Sequence, residues 1–236
     1  MKVLRIKAFQ ETACYKKPFA NKVAETYPLP PYSTVKGLIH AILNADELIP
    51  FSLSIQGDFE TQIIDYRTMY FVKKRQFAMP IVLDGLATET PKYSTNVMTS
   101  MPLYTHLLYN IQLVFHVRAE ETILDDIYHA FYNIDAFPSL GRHEDLIRID
   151  AIDYVYLEET DELNTKHSIY IPKAVCDEDR LGVPYLLNWT YTVKKGIREW
   201  TKIPSLYVMK NTNINEEEVN RALLMDEEGY AVFWNE

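Results

Sequence analysis

A chain of 236 residues with 47% hydrophobic content is long enough for one large domain, or one domain with an appendage, and can bury a core. No apolar run reaches membrane-span length, and the opening MKVLRIKAFQ alternates like a strand instead of carrying a signal peptide's apolar run; the two cysteines, Cys14 and Cys176, form no CxxC pair, so a cytoplasmic protein without membrane contact, disulfides or zinc is expected. The net charge of −9 argues against general nucleic-acid affinity, yet residues 1–110 hold 12 Lys and Arg against 9 Asp and Glu, a net of +3, while residues 111–236 carry −12, so a face built from the first part can meet phosphates.

Val3 to Phe9 alternates, with Leu4, Ile6 and Ala8 on one face and Arg5 and Lys7 on the other, which predicts a half-buried strand. The stretch PLPPYSTVKGLIHAIL, Pro28 to Leu43, predicts the first helix, over about 33–44. Pro30 and Pro31 stop any preceding helix, Ser33 or Thr34 offers an N-cap hydroxyl, and Val35, Leu38, Ile39, Ile42 and Leu43 form one apolar stripe. The only charge in its first turn is Lys36, so Ser33, Thr34, Lys36 and the free N–H groups can receive a phosphate; an ordinary capped core helix is the alternative. Phe51 to Tyr66 reads as extended, with a break at Gly57-Asp58.

Residues 67–101 have a different texture. Arg67, Lys73, Lys74 and Arg75 alternate with Tyr70, Phe71 and Phe77, followed by a turn at Asp84-Gly85 and a Thr/Ser/Asn/Met-rich return. That is a long hairpin projecting from the body. Its cations suit phosphates and its rings suit bases; a solvated insertion has the same composition. Tyr109 to Arg118 alternates as the clearest strand. Glu120 to Ala136 predicts the second helix, with Ile123, Ile127, Phe131 and Ile134 as its buried stripe, and Ser139 to Leu146 is a turn. Ile147 to Leu157 is another strand, with a phase slip near Ala151-Ile152 that predicts a bulge. The order strand, helix, strand, insertion, strand, helix, strand is that of an α+β, ferredoxin-like βαββαβ core over 1–157, the plan of RNA-recognition modules. Residues 158–236 read as a small β-rich extension, with Glu158 to Asn164 as an acidic loop and short apolar runs at 170–172, 187–193, 205–209 and 230–234.

Read together, PPYSTVKGLIHAIL and SLGRHEDL resemble the CRISPR-associated protein family five (Cas five) of the RAMP superfamily, whose members carry a Pro-x-x-Ser/Thr segment opening the first helix and a Leu-Gly-Arg turn after the second. The form LGR-x-x-DL, here Leu140 to Leu146, is associated with the type I-B branch, and Pro102-Leu103-Tyr104 adds to the likeness over about residues 1–157. The resemblance implies a subunit of Cascade, the RNA-guided surveillance complex. Such a subunit caps the 5′ handle of the CRISPR RNA, contacts the backbone and large subunits, and lies near the PAM-proximal end of target DNA. It also implies that 67–101 is a thumb over the guide and that Gly141, Arg142 and His143 join the RNA contacts. Gly141 supplies a tight turn; Arg142 either forks onto RNA or pairs with Asp145 or Glu144. The acidic second half is more readily subunit-facing or solvent-facing.

None of the six histidines stands at metal-ligand spacing, and no cofactor is expected. A metal-independent endoribonuclease acting at the repeat is the alternative function, with His143 and a nearby Tyr or Lys as acid and base. One branch of the family cuts its own CRISPR RNA; in the branch resembled here a separate subunit does so.

Overall fold

The computed structural model of the protein describes residues 1–18, 20, 22–72, 98–176 and 181–235. In chain order these form β1 (Lys2–Ala13), β2 (Val23–Ala24), α1 (Tyr32–Ile42), β3 (Ser52–Val72), β4 (Met98–Arg118), α2 (Glu121–Tyr132), β5 (Arg148–Thr160), β6 (Glu162–Asn164), β7 (Ser168–Pro172), β8 (Val183–Lys194), β9 (Ile197–Val208), β10 (Asn213–Asn215), β11 (Leu223–Asp226) and β12 (Ala231–Val232). The main sheet runs β12-β11-β5-β1-β4-β3-β7-β9-β8, antiparallel throughout, with β2 added parallel to β4; β6 and β10 pair separately. The architecture is thus α+β: a mostly antiparallel sheet with few helices, consistent with a RAMP-like fold.

The alternation of β1 explains its central place. Leu4, Ile6 and Ala8 enter the main core with Val35, Leu38 and Ile39 of α1 and Leu124, Ile127 and Phe131 of α2. Each such large apolar side chain contributes about 1.5–3 kcal/mol by leaving water. The expected bulge is present: Lys7 pairs with Ala151 but Ala8 with Ile149, so Asp150 is the extra residue.

Several boundaries differ from expectation. Helix α1 starts at Tyr32, with Pro31 at the N-cap and no side-chain cap; the Pro31 carbonyl itself accepts the N–H groups of Thr34 and Val35, so neither Ser33 nor Thr34 caps. Helix α2 ends at Tyr132, and Asn133 closes it through bonds to Ala130 and His129. Gly57-Asp58 makes no break. Gly57 pairs with Leu113 inside a continuous strand, and its missing Cβ is what admits the Gln112 carbonyl, which a Cβ would meet at 2.3 Å. Glu158 to Asn164 is not a loop either, since β5 continues to Thr160 and β6 follows, each satisfying its backbone against β11 or β10.

The sheet face away from the helices is covered at one end by the chain's own C-terminal segment. Val232 and Trp234 pack with Val3, Val155 and Leu157, and the Arg118 guanidinium lies 4.8 Å from the Trp234 ring centre. Asn235 then reaches β3: its N–H donates to the Leu53 carbonyl at 3.1 Å, and Leu53 N–H donates to its side-chain oxygen at 2.8 Å. Beneath this cover lies a buried charge clasp. Asp226 Oδ2 accepts from Arg5 Nη1 at 2.8 Å and from His116 Nε2 at 3.1 Å, while its Oδ1 accepts the N–H groups of Glu228 and Tyr230. Burial pushes the Asp226 carboxyl up, but these hydrogen bonds outweigh it and hold the group well below the usual carboxylate range. His116, fully buried, is pushed down by the same burial and donates as a neutral ring.

Candidate nucleic-acid interface

The Leu-Gly-Arg turn is organised by one buried carboxylate. Asp145 Oδ2 accepts from the N–H groups of Cys14 at 2.9 Å and Arg142 at 2.8 Å, which ties the turn to the end of β1. The Arg142 guanidinium grips the same carboxylate from Nε and Nη2, the latter at 2.6 Å, and its Nη1 meets Glu144 at 2.9 Å. Both of the expected ion pairs therefore form together, and the Asp145 bond raises the Arg142 pKa further. Of the five guanidinium N–H groups, two remain, one each on Nη1 and Nη2. Gly141 is required by its φ of +112° and by space: a Cβ would sit 2.8 Å from Asp145 Oδ2. Beneath it, the buried Gln10 amide donates to the carbonyls of Leu140 and Asp145, and Tyr15 hydroxyl donates to Gln10. His143, by contrast, projects with its side chain 97% exposed and touches Glu144.

The distal parts of β3 and β4 form a two-stranded ribbon beside this turn. Arg67 links the two: Nε pairs with Asp65 at 2.6 Å, and Nη1 lies 3.5 Å from the Glu144 oxygen that also holds Arg142. Thus Arg67, Gly141, Arg142 and His143 share one neighbourhood. Tyr66 and Tyr104 are register partners with ring centres 5.4 Å apart, and Ile64 and Tyr70 share their face. Tyr66, Tyr70 and Tyr104 are 59%, 62% and 43% exposed, an aromatic surface with no partner among the described residues beyond the Tyr66–Tyr104 pair and the Tyr66–Thr68 contact. Met69 and Phe71 are exposed on the reverse face. Lys73, Lys74, Arg75 and Phe77 lie outside the described residues.

Ser33, Thr34 and Lys36 are not brought to this neighbourhood. Ser33 and Lys36 face β8 and β9, where the Lys36 ammonium stands 4.7 Å from the Trp189 ring centre and is pulled below its ordinary pKa by burial. The hairpin β8–β9 was not legible as a unit in the sequence. Its residues 183–208 carry four Lys and Arg against Glu199 alone, a reversal hidden by the −12 of the half that contains it. The signal that marks it is Lys194-Lys195-Gly196 between Tyr191 and Trp200: Lys195 and Gly196 both have positive φ, 51° and 75°, as a two-residue hairpin turn requires.

The remaining histidines have local partners. His40 accepts the Ile49 N–H at Nε2, so its proton sits on Nδ1, directed at the Lys36 carbonyl. His167 bonds Asp58 at 2.7 Å, and His106 bonds Gln62. Among the described residues no cluster of three or more His, Cys, Asp or Glu could hold a metal ion, and no helix is long and apolar enough to cross a membrane.

Comparison with known proteins adds the following. No curated protein sequence matches the chain. A chain titled "CRISPR RNA-guided surveillance complex" superposes with a TM-score of 0.57 at 12% identity, covering 92% of each chain, which shows a shared fold. A chain titled "Crystal structure of Cas protein" gives 0.49 at 12% identity over 89% of this chain and 96% of its own. A CRISPR protein from Archaeoglobus fulgidus gives 0.45 at 10% identity over 98% of each. The model of the family described as CRISPR-associated protein (Cas_Cas5) matches residues 3–199, well over half of the sequence, and on that match the chain belongs to the CRISPR-associated Cas5 family.

Proposed function

We propose that this protein is a non-catalytic subunit of a type I CRISPR surveillance complex of the I-B branch. In this reading it binds and caps the 5′ handle of the CRISPR RNA, contacts the backbone and large subunits, and lies near the PAM-proximal end of the target DNA. The observation that carries this reading is the family match over residues 3–199, joined to the likeness with a chain whose own title places it in an RNA-guided surveillance complex. The order β5-β1-β4-β3, with α1 and α2 against one face, supports a ferredoxin-like core over 1–157. A separate buried cluster around Ile171, Leu206 and Phe233 supports treating 158–236 as an extension.

Within this reading the insertion at 67–101 is the thumb. Tyr70 within it, with Tyr66 and Tyr104 at its base, offers ring faces to bases, and Lys73, Lys74 and Arg75 are phosphate neutralisers. Gly141 and Arg142 shape the turn at the thumb's base. The two guanidinium N–H groups left over, with Arg67 and His143, make the contacts to RNA there. Ser33, Thr34 and Lys36 bind RNA from a second patch on α1. A metal-free nuclease needs a positioned acid and base, and among the described residues the partner of His143 is Glu144. Co-expression with the genomic neighbours and a CRISPR array, followed by gel filtration, tests the assignment: the chain should elute with the RNA and the other subunits. Repeat RNA incubated with the purified protein in EDTA should stay intact; its cleavage at one position would replace the binding role with the endoribonuclease one.

A further inference from the structure

The space between α1 and the β8–β9 hairpin is a pocket of about 510 Å³. Its wall includes two cations, Lys36 and Arg198, and two rings, Tyr191 and Trp200, which pack on each other with centres 5.0 Å apart. Arg198 stands 4.4 Å from the Tyr191 ring centre and Lys36 4.7 Å from that of Trp189; among the described residues neither cation has a carboxylate partner. Lys36 is half-buried and Arg198 exposed, and two cations without a carboxylate partner on one cavity wall offer it positive charge that an anion can meet. Asp46 and Glu47 also line the pocket and are acceptors for hydroxyl or amino groups.

Gly37 gives an independent indication. It lies within α1, where glycine is disfavoured by about 0.5–1 kcal/mol relative to alanine. Its φ is not positive, and a Cβ there would meet nothing within 4 Å, so neither backbone nor packing calls for glycine. Gly37 lines the pocket, so that part of its wall carries no side chain.

We infer that this pocket holds one nucleotide unit of an RNA strand, its phosphate between Lys36 and Arg198 and its base against Tyr191 and Trp200. The inference rests on the RNA-binding reading and adds to it a site built from the extension, away from the Leu-Gly-Arg turn. The shared chemistry, one phosphate with one base, also describes a free mononucleotide, and the test separates the two sources.

The test uses the complex assembled with its CRISPR RNA and carries Gly37→Leu, which adds a side chain to the pocket wall without removing a contact, or Lys36→Gln with Arg198→Gln. Lys2→Gln, whose partner is Glu121 at the far end of β1, serves as the charge control. Ultraviolet crosslinking should join RNA to Tyr191 or Trp200 in the unaltered complex. Gly37→Leu and the double variant should abolish that crosslink and weaken RNA retention at least about fivefold, the scale of losing one stacked base. Lys2→Gln should do neither, and melting temperatures should hold. Loss of the crosslink only on addition of millimolar AMP or UMP, with RNA retention unchanged by Gly37→Leu, would assign the pocket to a free nucleotide and overturn the RNA assignment. RNA retained through the ribbon with no crosslink in the pocket would overturn the inference while leaving the proposed function standing. An unaltered complex that holds no RNA would overturn both.

Discussion

The cations of this protein fall into two groups that composition alone does not separate. In the clasp and the Leu-Gly-Arg turn, Arg5, Lys7 and Arg142 are matched to carboxylates at 2.6–2.9 Å. In the pocket beside β8–β9, Lys36 and Arg198 face rings and open space. The first group sits on strands and turns that close the core, where an unpaired charge would be costly; the second sits on a helix and a hairpin where, among the described residues, no carboxylate meets it. The difference teaches that an arginine in a motif and an arginine at an interface are distinguished by what its N–H groups already hold.

The largest effect should follow from breaking the paired group. Replacing Asp226 by Ala leaves His116 buried without its acceptor and Arg5 with only Glu228 and Asp153, and should cost about 3–5 kcal/mol, read as a large fall in melting temperature. A fall of a degree or two would mean that the C-terminal cover is held by Trp234 and Phe233 alone. Gly141→Ala comes next: the strained φ and the approach to Asp145 should cost about 1–3 kcal/mol and loosen the whole turn. Should this variant retain full stability, Asp145 would not be the hub described here.

Acid should act on one ring from each side, His116 in the clasp and His40 on α1 beside the pocket. His116 and His40 are both held below their ordinary value of 6.5, chiefly by burial. A lowered folded pKa means that the unfolded chain takes up the proton first. The stability these rings contribute is therefore complete above pH 6.5 and is lost as pH falls from there through their folded pKa values. Asp226 adds a second loss only below its ordinary 3.8. A denaturation midpoint that rises as pH falls from 6.5 would contradict the neutral assignment of both rings. The smallest effect on stability should come from the basic run of the insertion. Changing Lys73, Lys74 and Arg75 together to Ala should leave stability within about 0.5 kcal/mol. The same change should lower the slope of log K against log salt by up to roughly 2, at about 0.7 per single-strand phosphate.

Periodicity made the core legible. The alternation of Leu4, Ile6 and Ala8 and the stripe of Val35, Leu38 and Ile39 are one face each, and a face has to be buried against something. The bulge at Asp150 was visible for the same reason. What periodicity could not show was completion across long separation. Asn235 closing on Leu53, and Asp226 on Arg5, join residues with no pattern between them. The start of α1 moved because the Pro31 carbonyl, not a side chain, caps it, and α2 ends early because Asn133 closes it with both its backbone N–H and its side-chain amide on the His129 carbonyl. In the candidate interface, the glycine turn and Tyr70 were readable from residue type, whereas Tyr66 and Tyr104 fell outside the segment that composition marked. That Arg142 is already engaged by Asp145 and Glu144 was readable only as one of two alternatives. The β8–β9 hairpin was obscured because its four cations are averaged into an acidic half.

The most direct test of the central claim is crosslinking of the whole complex, assembled with its CRISPR RNA, followed by identification of the linked residues in this chain. The account predicts links to the RNA's 5′ handle region at the ribbon, through Tyr66, Tyr70 or Tyr104. A complex that assembles with its RNA while this chain yields no link to it, or that retains the same RNA when this chain is omitted, would contradict the claim.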